Sequence, residues 1–236
     1  AILRKWPNLF NGAFNPLNLQ PMVSASHQIM NSKQSPSKIA YKILMEKEPI
    51  FPVRLLEKWT FDLNFDTTLE ILKAAFNSTY KLTISTNLRA FQFKLLHRIL
   101  PTNHLLYLWK IKDSNSCSFC GQDVETFRHV FWDCFVIRNF WMNVKDWLMR
   151  KTGITYEFNV IDIMLLLVKE DAPLVLLTVL LIGKVFIYKC RNLNTVPSIG
   201  SFEIYLNEYI KIEYEIAVKS NKILSHFRKW DLLEEN

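Results

Sequence analysis

Apolar residues recur every three or four positions through most of this chain, the period of a helix with one buried face. The clearest run is Ser85–Leu100, where Leu88, Phe91, Leu95 and Ile99 make one stripe. Lys94 and Arg98 lie one turn apart on another face, near His97. Pro101 stops that helix, and Thr102 is placed to cap the next, which carries Leu105, Leu108 and Trp109. Upstream, Leu55, Leu56 and Trp59 mark a short amphipathic element, and Thr67 with Glu70 is a capping-box pattern for a helix through Leu69, Leu72 and Phe76. Downstream, Phe140, Trp141, Val144, Trp147 and Leu148 form a broad stripe that reads as core, not as a base-stacking platform.

The segment Leu174–Ile182 is almost wholly apolar before Lys184 interrupts it. It is about half the length needed to span a bilayer, so a buried core helix is expected and no membrane anchor. The last long helix is expected from near Ser201, with Phe202, Leu206, Tyr209, Ile216 and Ile223 along one side. Toward the start, Ser35-Pro36 reads as a helix beginning, Ile39, Ile43 and Leu44 as its apolar face, and Pro49 and Pro52 as its end. Residues 1–34 show no period, and Pro7, Pro16 and Pro21 are mixed with Asn8, Asn11, Asn15 and Asn18. Trp6, Phe10 and Phe14 in that stretch are expected to lean on a neighbouring surface. The weak strand candidates are short runs such as Tyr80–Ile84, and there is no internal repeat or low-complexity tract.

These patterns predict a mainly α protein: helical bundle segments around a small Cys-Cys-His-Cys module. The expected divisions are an irregular linker at 1–34, a basic helical region at 35–112, the metal module at 113–150 and a C-terminal helical region at 151–236. A length of 236 residues, half of them hydrophobic, suffices for a real core, and only five glycines favour helices over turn-rich sheets. The chain begins with Ala1 and so reads as a piece of a longer protein.

Charge changes the picture because it is uneven. Residues 1–116 carry fifteen Lys/Arg and seven Asp/Glu, whereas 117–236 carry fourteen and fifteen. Between Ile71 and Lys112 stand Lys73, Lys81, Arg89, Lys94, Arg98, Lys110 and Lys112, with His97 and His104 and no carboxylate. Such a stretch is an electrostatic footprint for phosphate backbones. The plainer reading is a solvated basic face with no ligand.

The candidate chemistry lies at Cys117, Cys120, His129 and Cys134, in the order Cys-x2-Cys-x8-His-x4-Cys. Soft sulfur and imidazole donors in that mix suit a tetrahedral zinc ion. The first half forms a tight turn aiming two thiolates at one metal, and the second half returns the other two ligands. All four positions would be filled by protein, which favours a structural zinc over a catalytic one. A zinc hydrolase would need an open metal position and a nearby general base, and the cluster suggests neither. Disulfides are the bland alternative, but Cys117 and Cys120 are poorly spaced to bridge each other. No signal peptide is seen, so an intracellular, reducing setting, nucleus and cytoplasm, is expected. A thioredoxin-like redox pair would follow a strand, whereas this one follows the polar run Lys112–Ser116. Cys190 is expected to be a free thiol in an apolar segment.

The run Phe91-Gln92-Phe93-Lys94-Leu95-Leu96-His97-Arg98-Ile99-Leu100-Pro101-Thr102-Asn103 leads into Cys117-Ser118-Phe119-Cys120. Glu125-Thr126-Phe127-Arg128-His129-Val130-Phe131-Trp132-Asp133-Cys134 and then Phe140-Trp141 follow. This order resembles the zinc-binding C-terminal region of LINE-type non-LTR retrotransposon reverse transcriptases. The resemblance is strong over 88–148 and looser over 35–230. It departs at Phe135, where the family often has proline.

The resemblance implies an accessory region that follows the polymerase thumb and holds template RNA or target DNA. The implied partners are nucleic acid and the polymerase part of the same polyprotein. No catalytic residue carries over: the paired-aspartate polymerase motif and the endonuclease domain are absent from this sequence, and Asp62 and Asp66 stand alone. Lys94, Arg98, Lys110 and Lys112 are the expected phosphate contacts, with Arg89 and His97 weaker candidates. Trp109 and Trp132 are expected in the core, with stacking on unpaired bases as the other possibility. A protein-interaction or scaffold module, docking on the polymerase core or a host factor, is the alternative role.

Overall fold

Short polar side chains mark where the helices begin. The computed structural model describes residues 53–167 and 173–234. The irregular stretch expected at 1–34 and the helix expected from Ser35-Pro36 to Pro49 and Pro52 lie outside those residues. Thr68, Ser85, Thr102 and Ser198 each accept a hydrogen bond from a backbone N–H in the first turn of the helix that follows. Asn159 and Asp162 complete a reciprocal capping box. The elements are α1 (Val53–Leu63), α2 (Leu69–Leu82), α3 (Thr86–Leu96), α4 (Asn103–Leu108), a π-helical turn (His129–Asp133), α5 (Phe135–Thr152), α6 (Val160–Leu165), α7 (Leu174–Asn192), α8 (Ile199–Lys219) and α9 (Ile223–Glu234). Among the described residues there is no strand, and the one β-bridge pairs Ser116 with Val124. The mainly helical class expected from the periodicity is therefore the one observed.

Five helix ends follow one device. Asn64, Arg98, Lys110, Asn194 and Asn221 have φ between 48° and 57°, and the amide after each returns to a carbonyl five residues back. This is the Schellman closure, which needs a left-handed residue. It explains why α3 stops at Leu96, four residues short of the end expected at Leu100. Arg98 turns the chain, and Ile99, expected in the core stripe, is 53% exposed. The cap of α2 is Thr68, one residue after the expected Thr67, which is buried and donates its hydroxyl to the Phe65 carbonyl. The last helix is also two. Asn221 ends α8, and α9 packs back against it. The inward line of α8 is Phe202, Leu206, Glu213 and Ala217, while Ile216 is exposed. Glu213 takes an inward position because Lys229 Nζ (2.8 Å) and Trp230 Nε1 (2.7 Å) of α9 donate to its carboxylate.

The core centres on α7. Fourteen of its nineteen residues are buried. It packs against α2, α3, α6, α8 and α9, which is why the pattern is apolar nearly all round. Gly183 lets Trp141 of α5 lie on the helix: a Cβ there would meet the indole at 2.6 Å. Trp141 is held from its other side, donating Nε1–H to the Phe131 carbonyl at 2.8 Å. All five residues of the Phe140–Leu148 stripe are buried, as their period predicts. Cys190 is a buried free thiol, as expected. No described helix is long and apolar enough to cross a membrane.

Lys184 is fully buried in this core. Its Nζ donates to Gln92 Oε1 at 2.6 Å and to the Met164 carbonyl at 3.4 Å, both neutral oxygens. Burial without a carboxylate partner pushes its pKa well below the ordinary 10.5. The unfolded chain then binds a proton that the folded chain lacks, so stability rises with pH between the folded value and about 10.5, by about 1.4 kcal/mol per unit. Lys184→Met is expected to remove that slope. Urea unfolding from pH 7 to 9.5 checks it, and equal slopes in both proteins would contradict the assignment.

Candidate metal centre

Cys117 and Cys120 sit on a turn fastened by the backbone. The Cys117 N–H donates to the Asp123 carbonyl and the Gly121 N–H to the Cys117 carbonyl, both at 2.8 Å. The Ser116–Val124 bridge and the Glu125 N–H donating to the Asn115 carbonyl close the base of this small hairpin. Gly121 has φ +70°, a left-handed conformation that glycine adopts without strain. Amide N–H groups then point at sulfur: Phe119 N lies 3.4 Å from Cys117 Sγ.

The second half-site depends on the π-helical turn. Residues five apart on an α-helix are rotated about 140° from each other, so His-x4-Cys could not aim both side chains at one point. Here Cys134 N–H returns to the His129 carbonyl at 3.1 Å, an i to i+5 bond that widens the turn. Thr126 Oγ1 accepts from the His129 N–H at 3.1 Å and starts the segment. Cys134 then stands at the N-cap position of α5.

All four ligand atoms lie within 4.8 Å of one another. Cys117 Sγ and Cys134 Sγ are 3.9 Å apart, and Cys120 Sγ and His129 Nε2 are 3.4 Å apart. A zinc tetrahedron with ordinary bond lengths has edges of about 3.8 Å between sulfurs and about 3.6 Å between sulfur and nitrogen. The four cysteines of the chain are free, so the disulfide alternative is not observed. The turn carrying Cys117 and Cys120 follows no strand and opens no helix, unlike a thioredoxin-type pair. Asp123 Oδ2 is 3.9 Å from His129 Nδ1, on the outer side of the imidazole, where a carboxylate orients a metal-binding ring.

The protonation chemistry fits a cation. Burial pushes the Cys117 thiol up to about 12 and raises that of Cys134. Burial also works upward on Cys120, but the Asp123 and Gln122 amides and His129 outweigh it and bring it to about 7. Three thiols this close cannot all ionise on their own, and a divalent cation reverses that balance. The donor set, its spacing and its N–H···S bonds fit zinc with every coordination position taken by protein.

The centre is locked to the bundle by residues that the sequence pattern did not single out. Glu125 is fully buried between the two half-sites. Its carboxylate accepts from Asn103 N (2.7 Å), Ser118 N (2.8 Å) and Arg191 Nε (2.7 Å). Arg191 also donates to Asn103 Oδ1, and Asn103 Nδ2 donates to the Ser116 carbonyl. Burial works to raise the Glu125 pKa, but the Arg191 guanidinium and the two amides hold it below the usual carboxylate range. Glu125 stands inside the quoted motif, whereas nothing local in the sequence points to Arg191.

The expected phosphate contacts fall into two groups. Lys94, Lys110 and Lys112 are exposed, and Lys112 Nζ also donates to Asn103 Oδ1 at 2.8 Å. Arg89, Arg98 and His97 have structural partners. Arg98 pairs with Asp62 at 2.6 Å and lies over the Trp59 and Phe127 rings. Arg89 donates to the Thr83 carbonyl and covers Tyr80. His97 packs on Phe93 and Phe76, and burial lowers its pKa. Trp132 is partly buried, but Trp109, expected in the core, is 52% exposed. The six-residue α4 buries only Asn103 and has no inward face for the indole.

No curated protein matches the chain. Residues 58–141, which contain all four ligands, match the family described as zinc-binding in reverse transcriptase.

Proposed function

We propose that this chain is a zinc-stabilised accessory region of a LINE-type non-LTR reverse transcriptase, which holds template RNA or target DNA and does no chemistry itself. The carrying observation is the convergence of three sulfurs and one imidazole nitrogen within the segment similar to reverse transcriptase zinc-binding regions. When bound, the metal supplies a fixed cross-link and no open coordination position. Cys117, Cys120, His129 and Cys134 hold it. Glu125 and Asn103 carry that rigidity into α4 and α7. Exposed Lys94, Lys110 and Lys112 then meet phosphates without first being ordered. Contacts of this kind give salt-dependent affinity with little base preference.

Two outcomes are expected. The protein should carry one zinc, and either chelation or Cys117→Ser should cost about 4 kcal/mol, or roughly 8–16 °C in melting temperature. Elemental analysis with thermal melts tests this, and a metal-free protein of unchanged stability rules it out. The double variant Lys94→Ala/Lys112→Ala should keep its fold and weaken RNA binding, with the log–log salt slope shallower by about 0.7–0.9 for each phosphate contact removed. Unchanged affinity across a salt series would count against the interface.

A further inference from the structure

The end of α4 exposes a row of large apolar side chains: Tyr107 (46% exposed), Leu108 (58%), Trp109 (52%) and Ile111 (67%). Lys110 and Lys112 alternate with them and are exposed as well. No Asp or Glu stands between Ile71 and Lys112, and exposed Asp113 follows directly.

The backbone under this row is fixed. Lys110 closes a Schellman turn, with its N–H on the Tyr107 carbonyl at 2.9 Å and the Ile111 N–H on the Leu106 carbonyl at 2.8 Å. Thr102 caps the other end of α4, and buried Asn103 ties it to Glu125 and Arg191 beside the metal centre.

Lys110 holds the left-handed position of that turn. Its φ is +57°, a conformation costing an ordinary residue about 1–2 kcal/mol. Three of the six described non-glycine residues at positive φ are asparagines, which tolerate it. Leu166 is fully buried, and Arg98 makes the ion pair with Asp62. The Lys110 side chain makes no hydrogen bond or ion pair among the described residues.

We infer that residues 107–112 are a stacking platform for single-stranded nucleic acid. Trp109 meets the face of an unpaired base, and Lys110 and Lys112 meet the adjoining phosphates. This rests on the reading that the protein binds nucleic acid and narrows it to one strand. Base faces are available only where bases are unstacked, so exposed rings add nothing against a duplex. Exposed Lys110, next to Trp109, suits a polyanion better than an apolar protein partner docking on Leu108 and Ile111.

The test uses the full 236-residue chain. Binding of oligouridylate and of an RNA duplex of equal length is followed by fluorescence anisotropy, with a melt of each variant. Trp109→Ala should weaken single-strand binding about tenfold and duplex binding little. Lys110→Gly relieves the backbone, so it should melt at the same or a higher temperature and still bind the single strand more weakly, its salt slope shallower by about 0.7. Equal losses on both ligands from Trp109→Ala, or no loss on either, overturn the platform while nucleic-acid binding stands. If neither ligand binds at low salt, the nucleic-acid reading itself fails and the row becomes a protein-docking surface.

Discussion

The buried carboxylate of Glu125 is the constraint on which the rest of the structure turns. One of its oxygens takes the Arg191 guanidinium from the end of α7 and the Asn103 amide from the start of α4. The other takes the Ser118 amide from inside the Cys-x-x-Cys turn. Three segments far apart in the chain therefore share one register. A buried ion pair is weak evidence for net stability, because desolvation offsets much of its attraction. It is strong evidence for geometry: removing one partner leaves a charge in the core at a cost of about 3–5 kcal/mol.

The metal centre and the helical bundle consequently depend on each other. The π-helical turn aims His129 and Cys134 at one point, and widening it frees the Phe131 carbonyl, which Trp141 of α5 satisfies. Trp141 lies in turn against Gly183 of α7. At the outer edge, Arg128 donates to the Asp62 carbonyl of α1 at 2.7 Å and pairs with Asp133. The ligand cluster thus has the bundle behind it on one side and α1 beside it on another.

The same frame sorts the positive charges. In the sequence, seven cations in an acid-free window look equivalent. In the fold, Arg98 is neutralised by Asp62 from α1, and Arg89 closes the end of α2. Lys94, Lys110 and Lys112 are exposed. The two arginines use planar guanidinium groups, whose several donors suit carbonyls, carboxylates and rings.

The sequence by itself determined the helical class, most helix starts and the spacing of the Cys-Cys-His-Cys cluster, because each depends on neighbours within a few positions. Ser85 and Thr102 cap the helices that their sequence context marks, and the stripe from Phe140 to Leu148 is buried as its period requires. Tertiary structure decided what needs a distant partner. The left-handed turn at Arg98 ends α3 early and exposes Ile99. Glu213 turns inward only because α9 returns with Lys229 and Trp230. Arg191 reaches Glu125 across sixty-six positions, a separation at which sequence spacing carries no signal. Trp109 stays in water because the helix before it is too short to offer an inward face, and only the folded neighbours make that visible.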